Sequence, residues 1–95
     1  MSSLTWTRDG ARLSLKGELD QDYLVPLWDA RVEATRGAET IDLSAITRVD
    51  TAGVALLVHL VALARADGGK VRIEGKSEKM TTLVQLYNLP EDALP

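Results

Sequence analysis

Between Glu39 and Glu74 the hydrophobic period of this chain changes twice, and no other feature constrains its fold as much. Glu39-Thr40-Ile41-Asp42-Leu43 alternates and reads as a short strand. Thr51 to Ala66 is apolar nearly all round and reads as a helix, with Gly68-Gly69 as its stop. Lys70-Val71-Arg72-Ile73-Glu74 alternates again. Two strands joined through a helix lie parallel, because only a right-handed crossover packs the helix back onto a twisted sheet. The segment is therefore one β-α-β unit.

The same logic extends to both sides. Leu4-Thr5-Trp6-Thr7 and Ala11-Arg12-Leu13-Ser14-Leu15 alternate around Arg8-Asp9-Gly10, and Asp-Gly between alternating segments is a hairpin signal. Leu13 and Leu15 should face the core with Leu4 and Trp6. Gly17 is expected to end the second strand, leaving Glu18-Leu19-Asp20 as a loop. Asp20 or Asp22 would cap a helix over Tyr23–Arg36, with Pro26 in its first turn and Gly37 as its stop. Ser77 would cap a last helix to about Tyr87, carrying Met80, Leu83 and Val84 inward, before Asn88-Leu89-Pro90 breaks it. The expected fold is an α/β sandwich: a mixed four-stranded sheet in the order β-β-α-β-α-β-α, with helices mainly on one face. The expectation is a single domain over residues 1–95.

Composition removes several classes of function. Cysteine is absent, which excludes disulfides, thiolate metal sites and a thiol nucleophile. A net charge of −3 with both signs dispersed offers no basic stripe for nucleic acid. The apolar run Ala52–Ala64 is interrupted by His59 and falls short of the ~17–25 residues of a membrane span. Met1-Ser2-Ser3-Leu4 has no secretory character, so a soluble, cytoplasmic protein without direct membrane insertion is expected. His59 is the sole histidine, so neither a histidine metal pair nor a catalytic triad is expected. No phosphate loop, Gly-x-Ser-x-Gly elbow or His-Glu-x-x-His is present. Asp42 and Asp50 have ordinary places near strand and helix ends, and nothing in their spacing makes them converge.

Two surfaces stay open on pattern alone. In the Tyr23–Arg36 helix, Leu27, Ala30 and Ala34 form one lobe, while Leu24, Val25, Trp28 and Val32 form another; Arg31 and Thr35 project between them. A wide core face with Arg31 reaching to solvent is the favoured reading, and an exposed interface is the alternative. In the Thr51–Ala66 helix, Leu57, Leu60, Val61 and Ala64 should cover the sheet. Thr51, Ala55, His59, Ala62 and Ala66 form a stripe of small residues on another face, flanked by Leu56 and Leu63. That stripe suits either a docking surface or burial under a neighbouring helix. Threonine at a helix start is most often a cap, so the cap is the favoured role of Thr51, with phosphorylation the sharper alternative.

Gly17-Glu18-Leu19-Asp20, and Ile41-Asp42-Leu43-Ser44 leading to Val49-Asp50-Thr51-Ala52-Gly53, resemble the STAS domain family over nearly the whole chain. Glu18-Leu19-Asp20-Gln21-Asp22, Val25-Pro26-Leu27-Trp28, the Leu56–Leu60 run and Leu86-Tyr87-Asn88-Leu89-Pro90 look like the branch of small subunits in phospholipid ABC transporters. The resemblance implies a STAS-like fold and a non-enzymatic protein without cofactor or metal. It implies a cytoplasmic accessory subunit, held at the inner membrane through the transporter, that binds and supports the ATPase subunit of a system maintaining outer-membrane lipid asymmetry. Thr51, Ala55, Leu56, His59 and Trp28 would form one contact surface, with Arg48 and Asp50 at its rim. The alternative is an anti-sigma factor antagonist regulated by phosphorylation at Thr51, where that branch typically has serine.

Overall fold

A computed structural model describes residues 4–68 and 70–86. It contains β1 (Leu4–Asp9), β2 (Arg12–Leu19), α1 (Val25–Asp29), α2 (Arg31–Thr35), β3 (Thr40–Val49), α3 (Thr51–Gly68), β4 (Arg72–Glu74) and α4 (Glu78–Leu86). The four strands lie in chain order, β1-β2-β3-β4. β1 and β2 pair antiparallel, whereas β2–β3 and β3–β4 pair parallel. This is the expected mixed α/β sheet. Its hairpin closes at the Asp9–Arg12 pair over Gly10-Ala11.

The two faces of the sheet differ because side chains alternate along each strand. Leu13, Leu15, Leu19, Ile41, Leu43 and Ile73 are buried and meet Leu57, Leu60, Val61 and Ala64 of α3 in one core, with Leu27, Ala34 and Met80. Leu4 joins that core and Trp6 packs against it. On the other face Arg12 bridges Asp42 (2.9 Å) and Glu74 (2.8 Å), and Arg72 reaches Glu74 (3.2 Å). Ion pairs thereby stitch β2, β3 and β4 across the polar side.

That face carries a pH dependence. The Asp42 carboxyl is held below its ordinary range, chiefly by the Ser44 hydroxyl and then by the Ser44 N–H, which donate at 2.6 and 2.9 Å. Arg12 acts in the same direction, and partial burial opposes it. A carboxyl with a lower pKa in the folded than in the unfolded chain stabilises the fold above its unfolded value, here 3.8. The stabilisation is lost as pH falls through the folded value. Asp42→Asn should therefore lower the urea midpoint at neutral pH, and the gap to the parent should narrow as pH falls below 3.8. Parallel midpoint curves over that range would remove Asp42 from the acid response.

Several boundaries depart from expectation. Gly17 does not end β2. The ladder accommodates register shifts between Ser14 and Lys16 and between Gly17 and Glu18, and the strand continues to Leu19 opposite Val49. β3 likewise runs to Val49 rather than ending near Leu43, so no turn separates it from α3; only Asp50 does. The helix expected over Tyr23–Arg36 is two short helices divided at Ala30, whose backbone (φ −93°, ψ 5°) leaves the helical region. At this break the Trp28 carbonyl accepts a bond from the Arg31 guanidinium at 2.8 Å. Neither Asp20 nor Asp22 caps α1, whose N-cap is Leu24 without a side-chain bond. Asp20 instead closes the preceding turn, accepting the Asp22 N–H on its carboxylate (3.0 Å) and the Tyr23 N–H on its carbonyl (3.0 Å). Ser77 does cap α4, accepting the Met80 N–H at 3.1 Å. Gly69 and the Tyr87-Asn88-Leu89-Pro90 segment lie outside the described residues.

Candidate functional site

The break at Ala30 lets Leu27 and Ala34 both point into the core. The opposite lobe is then left uncovered. Trp28 is 42% exposed, Val25 63% and Val32 52%, so the wide-core reading of this segment is overturned. Single exposed hydrophobic residues are ordinary, but a contiguous apolar group on one helix face is not.

α3 supplies the second wall. Its sheet-facing side is buried as expected, and Thr51, Ala55, Ala62 and Ala66 of the stripe are exposed, with His59 half-buried. Among the described residues no neighbouring helix covers the exposed positions, which removes the burial alternative for them. Between the walls runs a groove of about 470 Å³ lined by Leu24, Val25, Trp28, Ala52, Ala55, Leu56 and His59. Small residues on α3 make room for it, Leu56 is buried in it, and Trp28 and His59 meet across it with ring centroids 4.8 Å apart and planes tilted by 39°. The Arg31 guanidinium stands 4.0 Å from the Trp28 ring centroid. An exposed cation–π contact of this kind contributes about 0.5–1 kcal/mol and holds the indole in place.

Trp28, Ala55, Leu56 and His59 are thus brought together, and Thr51 lies one helical turn before Ala55. Thr51 is not the cap. The Asp50 carboxylate accepts the Gly53 N–H at 2.9 Å, which makes Asp50 the N-cap and leaves Thr51 exposed as the first helical residue. Arg48 does not line the groove. Its side chain is largely exposed and approaches the Asp20 carboxylate at 3.7 Å. Asp42 and Asp50 do not form a pair: one lies near the start of β3 and the other beyond its end. Missed by the sequence reading were the stacking of Arg31 on Trp28 and a bond from the Gln21 N–H to Asp50 at 3.1 Å. The i, i+3 spacing of Trp28 and Arg31 could have suggested the first. Nothing in the sequence signals the second.

A wider depression of about 720 Å³ lies where β2, β3 and β4 begin and α3 ends. Asp9, Arg12, Glu39, Arg65, Lys70 and Arg72 line it with both charge signs. Among the described residues no cluster of His, Asp and Glu could hold a metal ion. The groove between α1 and α3 offers burial of apolar surface rather than groups for bond-breaking chemistry.

A mixed four-stranded sheet, a helical layer and an apolar groove beside the Asp-Thr-Ala-Gly helix start define the class. A family model described as Mlab, STAS domain, matches residues 2–94, and the chain belongs to the STAS domain family. Among its relatives is the intermembrane phospholipid transport system binding protein MlaB of Escherichia coli (strain K12). The two are 54% identical over 93 residues, covering 98% of this chain and 96% of the relative. The protein of the same name from Shigella flexneri matches with the same identity and coverage.

Proposed function

We propose that this chain is a non-enzymatic accessory subunit of a phospholipid ABC transporter. It binds the ATPase subunit, supports its assembly and activity, and so contributes to outer-membrane lipid asymmetry. The relatives' membership of an intermembrane phospholipid transport system supports the setting. The observation that carries the binding role is the uncovered groove with Trp28 across from His59. Its contact surface comprises Thr51, Ala55, Leu56, His59 and Trp28, with Arg48 and Asp50 at the rim. No helix among the described residues is long and apolar enough to cross a membrane, so the protein would reach the inner membrane, on its cytoplasmic side, through the transporter.

Affinity purification of the tagged chain from its native host should recover an ABC ATPase and its permease. Recovery of a sigma-factor-binding kinase without either would sink the reading in favour of an anti-sigma factor antagonist. In that case intact-mass analysis should also show a phosphate that Thr51→Ala removes.

Thr51→Glu tests the surface directly. Thr51 is exposed in the first turn of α3, where a carboxylate is favoured by the helix dipole by about 0.3–1 kcal/mol. The fold should therefore tolerate the change, while a charge at the end of an apolar contact should weaken ATPase binding by about tenfold. Unchanged affinity in a titration would place Thr51 outside the interface.

A further inference from the structure

We infer that Asp50 is a positioning residue, the clasp that sets the spacing of the two groove walls. The inference rests on the docking role proposed for that groove. One wall is the first half of α3; the other is α1, which follows directly on the turn Asp20–Tyr23. The Asp50 carboxylate is bonded to both. Its Oδ1 accepts the Gly53 N–H at 2.9 Å in the first turn of α3, and its Oδ2 accepts the Gln21 N–H at 3.1 Å in the turn leading to α1. Its own N–H donates to the Leu19 carbonyl at 3.2 Å, which holds the residue against the end of β2. Among the described residues no cation pairs with Asp50, so the carboxylate is committed to two backbone donors.

The chemistry demands a carboxylate. A helix cap alone needs one acceptor, which serine or asparagine supplies about equally well. Two N–H donors arriving from different elements need two acceptor atoms on one planar group, and charge strengthens both bonds. Asparagine at this position would keep one acceptor and turn an amide NH₂ toward the other donor. The turn before α1 would then lose its tether to α3, and the Trp28 wall would gain freedom that binding must remove.

The test is Asp50→Asn, read first in the free protein by amide hydrogen exchange and ring contacts in NMR. Exchange at the Gln21 N–H should accelerate at least tenfold, while that at Gly53 stays close to the parent, because asparagine still caps. Nuclear Overhauser contacts between Trp28 and His59 should weaken. Affinity for the ATPase subunit should fall about tenfold with little change in thermal midpoint. Gln21→Pro removes the same donor from the other side and should produce the same losses. The double variant should be no worse than either single one, because both break one bond. Unchanged Gln21 exchange and ring contacts in Asp50→Asn would overturn the clasp. Altered exchange and ring contacts with undiminished ATPase binding would leave the clasp standing and count against the docking role of the groove instead.

Discussion

Gly53→Ala should lower the thermal midpoint by roughly 10 °C and displace α3 from the sheet. A Cβ on Gly53 would overlap the Leu19 carbonyl oxygen and stand 3.0 Å from both the carbonyl carbon and Cγ of that residue. Contacts below 3.0 Å force movement, and the obstacle is backbone at the end of a central strand, not the tip of a flexible side chain. Overpacking of this severity sits near the upper end of the usual 1–3 kcal/mol. Alanine returns about 1 kcal/mol through better helix propensity. The net loss of about 2 kcal/mol corresponds to roughly 10 °C for a domain of this size. Because Leu19 O also accepts the Asp50 N–H (3.2 Å), the same shift would loosen the start of α3. A melting curve at or above that of the parent would show that α3 lifts away at no cost.

Trp28→Ala should weaken binding of the transporter ATPase at least ~30-fold while leaving the fold almost intact. Aromatic residues that fill the centre of an interface commonly contribute 2 kcal/mol or more to it, and 1.4 kcal/mol is a factor of ten. Trp28 is 42% exposed in the free chain, so its truncation opens no closed core cavity. The change removes the His59 ring contact and the Arg31 stacking, together about 1–2.5 kcal/mol of stability at most. A large effect on affinity with a small one on unfolding separates interface from core. Lys70→Ala, which changes a residue that lines the mixed-charge depression and not the groove, serves as the comparison and should bind like the parent. Retained affinity in Trp28→Ala would remove the groove from the interface.

Much of this architecture is legible in local pattern. Period-two alternation in Leu4–Thr7, Ala11–Leu15 and Lys70–Glu74 marks strands whose inward residues are the buried ones. Leu57, Leu60, Val61 and Ala64 of α3 can be assigned to the sheet from spacing alone, and all are buried. Ser77 reads as a cap and is one. Where pattern failed, partners decided. β2 runs past Gly17 because β3 continues beside it, and no residue within β2 announces the length of its neighbour.

For the site, the residue types at Trp28, His59 and Thr51 were visible in the sequence, and so was the small-residue stripe. Whether the Trp28 lobe was core or surface was not, since a helix apolar on two sides packs equally well either way until its partners are placed. The break at Ala30 and the position of α3 left it exposed. The assignment of the cap turned on one residue: Asp50 and Thr51 stand side by side where α3 begins, both of types favoured as caps, and only the tertiary structure shows the Asp50 carboxylate on the Gly53 N–H.

By itself, then, the sequence determined the order of strands and helical segments apart from the break at Ala30, the parallel pairing of β2, β3 and β4, the core face of α3 and the family, because these follow from periodicity, connection length and motif. Tertiary structure decided the uncovered groove, the capping role of Asp50 and its reach to Gln21. Each of these requires two segments distant in sequence to meet, and side-chain period along one segment carries no information about which atoms of another will stand opposite it.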